Sequence, residues 1–146
     1  MSRTFNLQEA EDCLPRIEEW LRDAMDSKRK ALAAEEELQA VKQRIQSYGG
    51  VEIRPAEVAR HRAVKNSSLE RLRKALGNID QIGCLIKDLD IGLIDFPAML
   101  GADEVYLCWK LGEPRIGFWH PVQEGFASRK PIRDEFGAST GPSRPN

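Results

Sequence analysis

The chain has 146 residues, 31% of them charged and 41% hydrophobic, with a formal net charge of -1. That length suits one domain with a real core, and the charge balance excludes a global pull towards nucleic acid or anionic membrane. No apolar run approaches the roughly 18 residues that span a bilayer, no signal-like apolar stretch follows Met1-Ser2-Arg3-Thr4, and Cys13, Cys84 and Cys108 are too scattered for a disulfide framework.

The first element opens at Asn6, which stands three residues before Glu9 in capping-box spacing, with Phe5 and Ala10 placed as a hydrophobic staple. Leu7, Ala10, Leu14, Ile17, Leu21 and Ala24 then recur in steps of three and four, the pattern of a helical seam. Pro15 interrupts it. A proline inside a helix costs about 3 kcal/mol, so the expectation is a short helix over Leu7 to Cys13, a kink or break, and a long helix from Pro15 to about Ser47. Continued in the same heptad frame, the seam becomes Lys28, Ala31, Glu35, Leu38, Lys42 and Ile45, with a second stripe through Met25, Leu32, Val41 and Tyr48. Gly49-Gly50 is the strongest breaker in the chain. A second helix is predicted from about Pro55 to Gln81, with a seam of Val58, Lys65, Leu69, Leu72, Leu76, Ile79 and Ile82.

The apolar residues concentrate at the start of the first helix and the end of the second. An antiparallel hairpin brings those halves together and sets Glu35, Glu36 and Glu37 level with Arg60, Arg62 and Lys65. The helices together are longer than a core of this size can cover, at roughly 1.5 Å per residue.

After Gly83 the pattern changes to short β-prone runs, Cys84 to Leu89 and Gly92 to Pro97, followed by a hairpin. In that hairpin Val105, Leu107 and Trp109 share one face and Glu104, Tyr106, Cys108 and Lys110 the other. A tight turn at Gly112-Glu113 predicts the pairs Trp109 with Ile116, Leu107 with Phe118, Val105 with His120 and Tyr106 with Trp119. That register leaves an outward aromatic pair, Tyr106 and Trp119. Residues past about Asp134 read as a flexible tail.

The runs Lys87-Asp88-Leu89-Asp90-Ile91-Gly92-Leu93-Ile94-Asp95-Phe96-Pro97-Ala98 and Glu104-Val105-Tyr106-Leu107-Cys108-Trp109, the turn Gly112-Glu113-Pro114 and the run Gly117-Phe118-Trp119-His120 resemble a prokaryotic family catalogued only as a domain of unknown function, number twenty-two zero three. Glu9-Ala10, Leu14-Pro15 and Gly125-Phe126 fit it too, so the resemblance runs from about Phe5 to Ile132. It implies no activity and assigns no role to any residue.

His120 is a candidate acid, base or ligand near neutral pH; the plainer reading is a hydrogen-bonded histidine at a strand end. Asp88, Asp90 and Asp95, with Glu104, offer oxygens to a hard cation, although Asp90-Ile91-Gly92 also reads as a simple turn. Cys84, Cys108 and His120, with an acid as fourth ligand, are a zinc-type donor set, but they lack the close cysteine pair of a zinc motif, and isolated cysteines read better as buried small hydrophobes. Tyr106 and Trp119 are a binding platform, a dimer contact or ordinary cross-strand packing. The segment from Val51 to Ile82 carries seven positive and four negative side chains, net +3. Its partner is read as the acidic first helix rather than phosphate.

These readings converge on an α+β protein. A long antiparallel two-helix hairpin, coiled-coil-like, packs on a three- to four-stranded antiparallel sheet. One domain spans 1–133, with the hairpin over about 7–82, the sheet over about 84–121 and a tail over 134–146. The leading function is a non-enzymatic cytoplasmic interaction or assembly module acting as a homodimer. It needs no cofactor or metal and has no membrane partner, and nucleic acid is disfavoured. The rivals are a small-molecule or metal-dependent enzyme sited around His120 and the acidic cluster, and a weak nucleic-acid binder using the second helix.

Overall fold

A computed structural model describes residues 3–47 and 55–136. The expected bend at Gly49-Gly50, Tyr48, Arg54 and most of the predicted tail lie outside those residues. Two helices, α1 (Leu7–Ser47) and α2 (Pro55–Ile82), precede five strands: β1 (Leu85–Asp88), β2 (Leu93–Leu100), β3 (Asp103–Lys110), β4 (Phe118–Pro121) and β5 (Lys130–Pro131). The strands form one antiparallel sheet in chain order, β1 to β5. The sheet thus exceeds the predicted three or four strands by the two-residue β5, too short to carry a strand pattern in sequence. The chain divides into two compact units, one made of Met1–Leu21 with Gly77–Asn146, the other of Arg22–Leu76.

In the first unit the capping box forms as predicted. The Asn6 side-chain oxygen accepts from Glu9 N–H at 2.7 Å, and the Glu9 carboxylate accepts from Asn6 N–H at 2.9 Å. The predicted break near Pro15 does not occur, because α1 runs on through that residue. Leu14, Ile17 and Leu21, the apolar neighbours of Pro15, are all fully buried. At about 1.5–3 kcal/mol for each buried side chain, their packing outweighs the roughly 3 kcal/mol that an interior proline costs. These residues join Phe5, Ala10, Ile79, Ile94, Phe96, Leu107, Trp109 and Ile116 in one core. Phe5 fixes the chain entry, with its N–H donating to the Pro97 carbonyl at 2.7 Å and its ring edge-on to Phe96.

The β2–β3 hairpin turns through Gly101, which takes the positive φ of +63° that its tight turn requires. That turn sets Asp95 opposite Cys108 and Phe96 opposite Leu107. The β3–β4 register differs from the prediction by one residue: Tyr106 lies opposite His120, Leu107 opposite Trp119 and Cys108 opposite Phe118. A one-residue slip reverses every side chain. Trp119 therefore packs against the core from the face of Leu107, and His120 leaves that face. The connection is longer than a tight turn. It is pinned by Glu113, whose carboxylate accepts from Lys110 N–H at 2.7 Å and whose backbone carbonyl accepts from Trp109 Nε1–H at 2.9 Å. Ile116, predicted to pair in the strand, fills the core from this connection instead.

In the second unit, Pro55 opens α2 as predicted. Lys65 meets Glu35 at 2.5 Å, Arg44 meets Glu57 at 3.8 Å, and Arg71 meets Asp23, as an antiparallel hairpin requires. The seam itself is displaced. The buried positions on α1 are Ala24, Ser27, Ala31, Ala34 and Val41, not Lys28, Glu35 and Lys42. Two successive steps of three, at Leu21, Ala24 and Ser27, change the phase of the seam as a stammer does in a coiled coil, so Ala31 stays in it as predicted while Ser27, Ala34 and Val41 replace Lys28, Glu35 and Lys42. The alternative would bury three charges. On α2, Ser68 and Ala75 are buried, whereas Leu69, predicted in the seam, is 43% exposed.

Candidate functional site

The sheet face carrying Tyr106 and Cys108 holds a buried polar group drawn from three strands. Asp95 on β2, Cys108 on β3 and His120 on β4 are 1%, 0% and 3% exposed. One oxygen, nitrogen or sulfur atom from each lies within 4.8 Å of the other two. The two registers bring them together, since Asp95 pairs with Cys108 and His120 stands two pairs along, on the same face, from Phe118, the partner of Cys108.

The hydrogen bonds of His120 orient its ring. Nδ1 lies 2.9 Å from the Pro121 carbonyl, which can only accept, so Nδ1 carries a hydrogen. Nε2 lies 3.0 Å from Asp95 Oδ2, a contact that needs one hydrogen shared between nitrogen and carboxyl. The other oxygen, Oδ1, is buried with no hydrogen-bond partner of ordinary geometry. Burial pushes the Asp95 carboxyl above its usual range, against the opposing pull of His120, the Cys108 thiol and Lys87. Burial, followed by the Asp95 charge, pushes the Cys108 thiol up to about 12. A thiol so disposed is no ready nucleophile.

Cationic and aromatic side chains surround the group. The Lys87 ammonium sits 4.8 Å from the Tyr106 ring centre, and that ring is edge-on to His120 at 5.5 Å. The Arg129 guanidinium, which acts on Cys108, stacks between Phe118 at 3.9 Å and Phe126 at 4.3 Å. Both its terminal nitrogens donate to the Glu113 carboxylate, at 3.1 and 3.0 Å. Glu113 therefore fixes both the β3–β4 connection and the arginine beside the thiol.

Of the predicted site residues, Asp95 and His120 meet, with Tyr106 against the histidine. Asp88 does not join them; its carboxylate accepts from Asp90 N–H at 3.0 Å, and Gly92 N–H donates to the Leu89 carbonyl at 3.2 Å, so Asp90-Ile91-Gly92 lies in the turn that was the simpler expectation. Glu104 is exposed at the opposite end of β3, across from Met99. Trp119 is on the other face, near Phe136 and Lys130, so the predicted Tyr106–Trp119 pair does not exist. Cys84 is also elsewhere, with its thiol directed to the Ile79 carbonyl at 3.6 Å. Cys108 was legible as a neighbour of Asp95 from the short Leu100-Gly101-Ala102-Asp103 turn, which fixes the β2–β3 register. Glu113 and Arg129 carried no motif.

Residues 3–132 match the family described as "Uncharacterized conserved protein (DUF2203)". The chain belongs to that family. No curated protein and no solved structure matches it. Among the described residues, no helix is long and apolar enough to cross a membrane.

Proposed function

We propose that this DUF2203 protein is a non-enzymatic, cytoplasmic interaction module that assembles with a second copy of itself through its helical hairpin. The observation that carries this reading is the inverted use of side chains in the hairpin unit. Its buried positions hold Ala24, Ser27, Ala31, Ala34, Ser68 and Ala75, with Val41 the largest, while Leu32, Val64 and Leu69 stand 55%, 43% and 43% exposed. Two helices alone bury little apolar area, and helical bundles reach stability by adding further helices. A groove of about 420 Å³ in the same unit has Leu38, Val41, Ile45 and Val58 in its lining, with Glu35, Arg62 and Lys65 among the polar residues. Apolar surface rimmed by charge suits a protein partner.

The inaccessibility of Asp95, Cys108 and His120 supports the non-enzymatic reading, because a substrate has no route to side chains so completely covered. Pairing of Lys65 and Arg71 with α1 carboxylates supports a salt-bridged hairpin over a phosphate-binding one. Analytical ultracentrifugation of the full chain tests the proposal. The wild type is expected to sediment as a dimer at micromolar concentration, and Leu32→Glu and Leu69→Glu as monomers of unchanged helix content. A wild type that stays monomeric at high concentration refutes it.

A further inference from the structure

The buried group on the sheet is richer than a packed histidine requires. We propose that Asp95, Cys108 and His120 form a binding site for one divalent ion of the zinc class, which locks the three central strands together. The residue types are an oxygen, sulfur and nitrogen set that suits Zn²⁺. The donor atoms come from β2, β3 and β4 and lie within 4.8 Å of one another. In a tetrahedral site with bonds of about 2.0–2.3 Å, donors stand roughly 3.3–3.8 Å apart. Loading thus requires a contraction of about 1 Å at the widest pair, within reach of side-chain rotation.

Two independent features point to a ligand. Asp95 Oδ1 is an unpartnered oxygen on a residue that is 99% buried, a costly state for a polar atom with nothing bound. In addition, the Nδ1–H of His120 donates to the Pro121 carbonyl, the outer contact that orients a metal-binding imidazole and leaves Nε2 to face the ion. Nε2 already points at Asp95.

Charge also balances. Before loading, Asp95 and His120 share one proton and Cys108 is a thiol, so the group is neutral. Zn²⁺ displaces the shared proton and the thiol proton. The product, one Zn²⁺ with a carboxylate, a thiolate and a neutral imidazole, is again neutral, which a buried site requires. Lys87 and Arg129 favour the anionic forms of the two acids, and Glu113 offsets the charge of Arg129. The burial of all three ligands makes the ion structural rather than catalytic. Three residues supply three donors, and the fourth position falls to a water or, in a site distorted from tetrahedral, to the second Asp95 oxygen.

The full chain, stripped with chelator and kept reduced, is titrated with Co²⁺ and then Zn²⁺. Expected are one equivalent bound, a thiolate-to-cobalt charge-transfer band that Zn²⁺ abolishes, two protons released per Zn²⁺ in weakly buffered solution, and a zinc-dependent rise in Tm that chelator reverses. Cys108→Ser and His120→Gln should each lose the band. Should either fail to fold, the double variant Cys13→Ala/Cys84→Ala keeps the test alive, because Cys108 is then the sole thiol and the band must persist. A folded wild type with neither band nor Tm shift overturns the proposal, as does loss of the band in a folded double variant.

Discussion

The sheet unit and the hairpin unit solve the same problem with different materials. The sheet unit buries Trp109, Phe96, Leu14, Ile17, Leu21, Ile79, Ile94, Leu107 and Ile116 almost completely. The hairpin unit hides alanines and serines, and leaves larger apolar side chains outside. In the first, buried area supplies the stability; in the second, ion pairs such as Lys65–Glu35 supplement close helix approach. Ion pairs on exposed helix surfaces contribute little and are screened by salt. The comparison therefore predicts a firm unit and a soft one.

The strongest way to break the contrast is Trp109→Ala. This removes the largest fully buried side chain and the donor to the Glu113 carbonyl. A loss of about 3–5 kcal/mol is expected, read by denaturant unfolding. An effect under about 1 kcal/mol would mean the sheet unit is not the firm one.

Gly92→Ala comes next. Gly92 has a φ of +69°, and a Cβ there would fall 2.6 Å from Leu111 Cβ, whose residue also donates its N–H to the Gly92 carbonyl. The expected cost is about 1–3 kcal/mol in the same measurement. Ser27→Ala sharpens the contrast from the other side. Its hydroxyl is buried without a partner, so the substitution should raise stability by about 1 kcal/mol, read as a higher melting temperature of the helical signal.

The smallest effect is acid sensitivity of the hairpin. The Lys65 hydrogen bond, and after it Gln39, hold the Glu35 carboxyl below its usual range. A depressed carboxyl contributes stability above its unfolded value and loses it as pH falls through the folded one. Helix melting followed by circular dichroism should thus weaken only below the ordinary glutamate range, and Glu35→Gln should flatten that acid limb. High salt should shrink it too.

Local chemistry was legible wherever it acted within a few residues. The Asn6–Glu9 box, Pro55 at the start of α2 and the turn at Asp90-Ile91-Gly92 depend on neighbours in sequence, and each is found as expected. The misreadings arose where distant groups decided between two self-consistent patterns. Alternation along Phe118-Trp119-His120 fits either β3–β4 register. The chosen one places His120 against Asp95, a residue two strands away, and it depends on Glu113 shaping the connection. Likewise the α1 seam fits two frames, and the frame that keeps Lys28, Glu35 and Lys42 out of the buried seam wins. At Pro15 the local cost favours a break, but the packing of Leu14, Ile17 and Leu21 overrides it.

One feature of the topology bears on how the chain is made. The sheet unit is assembled from two segments, residues 3–21 and 77–136, with the whole hairpin unit inserted between them. During synthesis the opening segment emerges with Leu14, Ile17 and Leu21 uncovered, and the strands that will cover them follow only after the hairpin has left the ribosome. The meander of β1 to β5, joined neighbour to neighbour, then closes through local contacts. Closing the unit is non-local by contrast: Phe5 N–H bonds the Pro97 carbonyl across more than ninety residues of chain, the kind of contact that slows folding. Until then, Leu14, Ile17 and Leu21 lack the strands that bury them.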